Sequence, residues 1–213
     1  MSVVVLHDLG DAVGGAALRA VAPIGWVIPD LPGHGDTPGP QSGHYDPMSA
    51  AAIARWKVAR DDSLPAVLVG IRENAHAALV CAVAGASSAV VIIDGLWGPW
   101  QSAVEHIDAM YSNIRAIADD PAAVSAPPAS GPDPRAKYGY GMMASATFLQ
   151  QFWGAIHQPV LAIETPRSKT PIAERATRVS YFAGPASVVE LADDEPASIV
   201  GAILDWQTTL MYR

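Results

Sequence analysis

Arg72, Glu73 and His76 place a permanent cation, a carboxylate and an imidazole within one turn and a half of chain, directly after the apolar run Ala66 to Val69. Glu73 and His76 are of the types that accept and return protons near neutral pH, a chemistry suited to carbonyl compounds. Arg72 stays protonated at any working pH and cannot attack a carbonyl, but its planar fork pairs a carboxylate bidentately. His7 and Asp8 follow another apolar run, Ser2 to Leu6, while Asp94 and Glu164 close two more, Ala89 to Ile93 and Val160 to Ile163. If these runs are strands ending at one edge of a sheet, Asp8, Glu73, Asp94 and Glu164 all arrive around Arg72. Either Arg72 pairs internally and plugs a pocket, or it faces an open one and takes an anionic ligand; buried charges are normally paired. His34, Asp36, His44 and Asp46 fit no compact ligand spacing and sit in a Gly/Pro-rich stretch, so no metal site is expected. No cofactor motif is complete either, and no cofactor is expected.

Bulk properties narrow the classes. With 213 residues, 50% hydrophobic and 16% charged, the chain suits one domain with a substantial core. A net charge of -8 lacks the cationic footprint that phosphate backbones require, so nucleic acid is not an expected partner. Cys81 is the sole cysteine, and its setting in Leu79-Val80-Cys81-Ala82-Val83 reads as a buried helix in which the thiol acts as a small apolar group. No uncharged apolar run approaches roughly 18 residues and no basic-then-apolar segment opens the chain, so no membrane partner and a cytoplasmic location are the expectations. Oligomeric state is not specified by any of these features.

Those chemical residues need a scaffold, and the apolar pattern supplies one. Six short runs read as strands: Ser2 to Leu6, Gly25 to Pro29, Ala66 to Val69, Ala89 to Ile93, Val160 to Ile163 and Ser187 to Leu191. They are continuously apolar rather than alternating, as strands covered on both faces of a parallel sheet are. Helical patterns lie between them at Ala12 to Val21, Met48 to Arg60, Glu73 to Ala84, Pro171 to Val179 and Glu195 to Leu210. Strand–helix alternation predicts an α/β chain with a mainly parallel, doubly wound six-stranded sheet, which binds ligands at the carboxyl ends of its strands. The rhythm breaks between Asp94 and Pro159. There, helices at Gln101 to Ala118 and Ser145 to Ile156 flank a Pro-, Ala-, Ser- and Gly-rich loop, Pro121 to Gly141. The whole of 1–213 is expected to be one domain, with residues 97–157 as a helical cap over the strand ends.

The order of segments resembles the α/β hydrolases. Val3-Val4-Val5-Leu6-His7-Asp8-Leu9-Gly10 resembles the strand and oxyanion loop of that family, and Asp30-Leu31-Pro32-Gly33-His34-Gly35-Asp36-Thr37 matches its Asp-x-Pro-Gly-His-Gly-x-Ser/Thr turn. Val67-Leu68-Val69-Gly70-Ile71-Arg72-Glu73-Asn74-Ala75 falls where the nucleophile elbow belongs. Ala89 to Asp94 is similar to the strand before the cap, Pro159 to Ile163 to the strand before the acid, and Glu195-Pro196 to the segment after the histidine. The family's usual first two strands have no counterpart. A short-chain dehydrogenase turn is the rival for Gly10 to Gly15, yet Ala16 replaces its third glycine and no Tyr-x-x-x-Lys occurs.

The resemblance implies a Gly-x-Ser-x-Gly elbow, and the chain reads Gly70-Ile71-Arg72-Glu73-Asn74. Arg72 therefore takes the nucleophile position; a slip of one residue would put Glu73 there. The segment expected to hold the acid reads Glu164-Thr165-Pro166-Arg167-Ser168-Lys169, without aspartate, and Leu191-Ala192-Asp193-Asp194-Glu195-Pro196 leaves no histidine before the last helix. The resemblance assigns oxyanion-hole donors to the backbone N–H groups of Glu73 and Leu9, and such a hole binds carbonyls and carboxylates without a nucleophile. His7, Asp8, Leu9, Arg72, Glu73, Asp94, Trp97 and Trp100 are the expected ligand-binding set. Three readings follow: a non-hydrolytic binder of a small carbonyl or carboxylate compound; an enzyme of unconventional hydrolase or lyase type using Glu73 or His76; and a structural or interaction role.

Overall fold

The computed structural model describes residues 2–8, 15–40, 45, 66–96, 108, 111–112, 115, 119, 133, 135–136 and 150–211. Six strands are formed: β1 (Ser2–Leu6), β2 (Trp26–Val27), β3 (Ala66–Ile71), β4 (Ala89–Ile93), β5 (Val160–Glu164) and β6 (Ala186–Glu190). They make one sheet in the order β2-β1-β3-β4-β5-β6, and every neighbouring pair is parallel. Runs of Val, Ile and Leu suit this because both faces are covered: β4 and β5 are buried along their entire length. One face packs Leu68, Val90, Ile92 and Ala162, the other Val67, Val91, Leu161 and Ile163. The chain runs from β1 outward to β2 and then returns past β1 to β3. The order therefore reverses between β1 and β3, the place where doubly wound sheets bind their ligands.

The helices are α1 (Ala16–Val21), α2 (Ala75–Val83), α3 (Gln150–Trp153), α4 (Ile172–Val179) and α5 (Pro196–Met211). In α2, Ala75, Ala77, Ala78, Cys81 and Ala82 are all buried. Small side chains let this helix lie close to β3 and β4, and Cys81 fills space as a small apolar group among them.

Several boundaries depart from the sequence pattern, each for a local reason. The second strand shrinks from Gly25–Pro29 to Trp26–Val27: Gly25 takes φ 96° as a turn residue, and Pro29 has no N–H for a ladder. The helix expected from Ala12 begins at Ala16, because Gly15 sits at φ 77° and a Cβ there would meet the Ile28 side chain at 2.9 Å. The helix expected from Glu73 begins at Ala75, after a 3-10 turn over Arg72–Asn74. The Met48 to Arg60 pattern lies outside the described residues, as do most of the expected cap and of the Pro121 to Gly141 loop. Within that loop, however, Asp133, Arg135 and Ala136 are buried. The Asp133 backbone N–H donates to the Gly33 carbonyl at 2.7 Å, the Tyr45 hydroxyl donates to Asp133 Oδ2 at 2.7 Å, and an Arg135 N–H donates to the Pro40 carbonyl at 3.2 Å. A segment whose composition offers little to bury is thus fastened at these residues to the Pro-Gly-His-Gly turn.

Candidate functional site

β3 runs into α2 through a bend at Arg72. Arg72 has φ 53°, a left-handed conformation uncommon for a residue with a Cβ, and the 3-10 turn starts at this residue. Two residues earlier, a Cβ on Gly70 would lie 2.4 Å from the Asn74 carbonyl oxygen and 2.6 Å from Ala75 Cα, so only glycine lets helix and strand approach this closely. Two residues after Arg72, the Asn74 side-chain amide donates to the His7 carbonyl at 2.7 Å, tying the bend to the end of β1. The strained position is Arg72, not Glu73.

The sheet register lines up a row of ionisable side chains. Leu6 pairs with Gly70, Ile71 with Ile93, Ile93 with Ile163, and Glu164 with Glu190. Continued to the strand ends, this brings Asp8, Arg72, Asp94, Glu164 and Glu190 to one level, one from each strand except β2. Asp94 also has a positive φ, 50°, so two adjacent strands end in strained non-glycine residues. Such strain clusters at ligand sites.

A cavity of about 310 Å³ opens above this row. Its polar wall is formed by His7, Asp8, Arg72, Asp94, Thr165, Arg167 and Asp194, and its apolar wall includes Leu18, Ile71, Ile93 and Ile199. Arg72 Nη1 and Arg167 Nη2 both reach Asp8 Oδ2, at 3.4 and 3.2 Å. Charge-assisted pairs usually close to about 2.7–2.9 Å, so neither guanidinium is tightly spent on Asp8. Asp94 is held differently: Thr165 donates its backbone N–H to Oδ1 at 2.7 Å and its hydroxyl to Oδ2 at 2.8 Å. His7 is fully buried; the Leu31 N–H donates to its Nε2 at 3.2 Å, which makes Nδ1 the protonated nitrogen, donating to the Asp8 carbonyl at 2.9 Å. With both ring nitrogens engaged it orients the loop and is no poised base. Among the described residues the cavity wall contains no serine or cysteine.

No protein-family model matches the chain, and no curated protein sequence matches it either. Solved structures do. A malate-bound thermophilic esterase from Thermogutta terrifontis superposes with a TM-score of 0.71 at 15% identity, covering 98% of this chain and 90% of its own. An esterase from Exiguobacterium antarcticum gives 0.68 at 14%, covering 97% and 91%, and an enol-lactonase from Burkholderia xenovorans LB400 gives 0.63 at 17%, covering 97% and 90%. The chain has the α/β-hydrolase fold. In this chain the bend between β3 and α2 is occupied by Arg72.

Of the residues expected at an α/β-hydrolase pocket, His7, Asp8, Arg72 and Asp94 do come together. Leu9, Trp97 and Trp100 lie outside the described residues. Glu73 is half-buried in the 3-10 turn and is not among the cavity's described lining. His76 is buried in α2 beside Phe152, ring centroids 5.5 Å apart; burial lowers its pKa to about 4, so it is neutral at pH 7 and away from the cavity wall. Trp153 stacks on Phe182 at 4.6 Å and is wholly buried, a core residue. Sequence reasoning missed Thr165, Arg167 and Asp194. Their signal was positional: they follow the fifth and sixth strands, at the carboxyl edge where this class of sheet binds ligands. Among the described residues no group of three or more His, Cys, Asp or Glu could hold a metal ion, and no helix is long and apolar enough to cross a membrane.

Behind Thr165, Glu164 is fully buried. Ser168 donates its hydroxyl to Glu164 Oε2, and Arg175 lies 3.9 Å from that oxygen and 3.5 Å from Glu190. Burial, with the nearby Asp94 charge, pushes the Glu164 carboxyl up to about 7, although Ser168 and Arg175 oppose this.

Proposed function

We propose that this chain is a non-hydrolytic member of the α/β-hydrolase fold that binds a small carboxylate compound in the cavity at the β1–β3 switch. What carries the reading is the convergence of Arg72 and Arg167 on one oxygen of Asp8. A guanidinium offers five N–H donors, and each of these has a long bond to Asp8, which leaves donors for a ligand carboxylate. The bend that serves a nucleophile elsewhere on this fold presents a cation here, and a cation at that point attracts the same oxyanion without attacking it. The malate bound to the Thermogutta terrifontis esterase is a carboxylate in a protein of the same fold. The reading in which Glu73 or His76 transfers a proton gains no support, since neither is in the described wall of the cavity.

The test has two arms. Calorimetric titration with malate and with short aliphatic carboxylates should give saturable one-site binding, lost in Arg72→Met. A fluorophosphonate probe should leave the folded protein unlabelled, and short nitrophenyl esters should be hydrolysed no faster than in buffer. Labelling of a serine that disappears on unfolding would overturn the non-hydrolytic reading, and the absence of any carboxylate binding would overturn the binder.

A further inference from the structure

We infer that the ligand of this cavity is a free amino acid with an apolar side chain, its carboxylate on Arg72 and Arg167 and its ammonium on Asp94. This rests on the carboxylate-binding reading above and narrows it. The charges in the cavity are unevenly matched. Asp8 has two cations within 3.4 Å, and Arg167 also approaches Asp194 at 3.8 Å. Asp94 is only 5% exposed and yet has no cation within ion-pair distance among the described residues. Among the described residues its two oxygens take one hydrogen bond each, both from Thr165, whereas a carboxylate offers about four acceptor sites. A buried carboxylate without a counter-charge costs free energy, and a ligand ammonium relieves that cost while filling the vacant acceptor positions.

The spacing suits an α-amino acid. Ile71 and Ile93 are register partners, so Arg72 and Asp94 are successors on adjacent strands, whose backbones run about 4.8 Å apart. The ammonium and carboxylate of an α-amino acid hang from one carbon and can reach two such neighbours together. At roughly 30 Å³ for each water, about 310 Å³ holds about ten waters, which is room for a molecule of leucine's size. Leu18, Ile71, Ile93 and Ile199 give its side chain an apolar wall.

The experiment is calorimetry at pH 7 on the whole chain with three probes of one shape: L-leucine, 4-methylpentanoate, which lacks the ammonium, and isoamylamine, which lacks the carboxylate. Leucine should bind at least tenfold more tightly than either relative, and Asp94→Asn should bring it down to the level of 4-methylpentanoate. If 4-methylpentanoate equals or exceeds leucine and its binding vanishes in Arg72→Met, the amino-acid inference fails while the carboxylate reading stands. If none of the three binds and malate also fails, both fall. The wild-type comparison needs no variant, so a misfolded Asp94→Asn protein would not shield the inference.

Discussion

Asp133 and Arg135 meet at 2.6 Å with side chains 1% and 9% exposed, whereas Arg72 stands 3.4 Å from an Asp8 that it shares with Arg167, its own side chain 24% exposed. Both sites are built from aspartate and arginine, but their hydrogen-bond accounts differ. Asp133 receives Arg135 Nε on both oxygens at 2.9 and 3.0 Å, Nη2 at 2.6 Å, the Arg135 backbone N–H at 3.0 Å and the Tyr45 hydroxyl at 2.7 Å. Burial alone would raise its pKa, but these bonds and the Arg135 charge outweigh burial and bring it down to about 2. Gly33 and Gly39 leave space for the Tyr45 hydroxyl, which a Cβ at either would meet at 2.4 or 2.1 Å. Closed accounting of this kind marks a pair that holds structure together. Long bonds, a shared acceptor and partial exposure mark one with capacity left for a ligand.

The largest effect should come from breaking the closed pair. Arg135→Met takes from Asp133 its counter-charge and three of its hydrogen bonds and should cost about 3 kcal/mol, the low end for a broken buried pair. Asp133→Asn should cost less, because the amide still accepts from Tyr45. Urea melts of both variants check this. A loss below 1 kcal/mol in Arg135→Met would mean that Asp133 and Arg135 are not fastened to the turn as described, and the contrast with Arg72 would collapse.

Next in size is a pair of opposed titrations that the wild type hides. In the folded state Glu164 is raised from 4.5 to about 7, so the folded protein binds more protons than the unfolded chain between those values. Its contribution is fully present below pH 4.5 and is lost as pH rises through 7, on the order of 3 kcal/mol in all. His76 is lowered from 6.5 to about 4, so there the unfolded chain binds more protons and stability is lost as pH falls through that window. Between pH 4.5 and 6.5 the two slopes oppose each other. Glu164→Gln should therefore be more stable than wild type at pH 8 and should lose stability on acidification from 6.5 to 4.5. His76→Phe should do the reverse, gaining stability as pH falls. Parallel pH profiles for wild type and Glu164→Gln would show that Glu164 ionises normally.

The strands and the bend were legible because their cause is local. Valine-rich runs buried on both faces need no partner to be recognised, and Gly70 two places before Arg72 announces a close strand–helix approach. What escaped depends on residues far apart in sequence. Tyr45 and Asp133 are separated by 88 positions, and nothing in a Pro- and Ala-rich loop signals that an Asp and an Arg two residues apart will be buried together. Arg167 and Thr165 lie in a loop without periodicity; their place beside Asp8 and Asp94 exists only once β5 has joined β4. Arg72 pairs with Asp8 and lines the cavity at once, an arrangement that depends on the Asp8 loop lying beside the bend.

The smallest stability effect should belong to Arg72. A fully closed pair would leave a stranded carboxylate on its removal, at about 3 kcal/mol or more. Here Arg167 remains 3.2 Å from the same Asp8 oxygen, and both partners are reached by solvent. Removing one of two cations from a shared, partly exposed acceptor resembles the loss of a surface pair, which costs about 0–1 kcal/mol. Relief of the positive φ does not follow from Arg72→Met, because methionine also carries a Cβ, but Arg72→Gly removes both the charge and the strain. Arg72→Met should thus melt within a few degrees of wild type, and Arg72→Gly at or above the Met variant, while both lose carboxylate binding by at least tenfold. A large destabilisation in both variants would place Arg72 with Arg135 as a structural pair, and would leave the cavity without its ligand-binding cation.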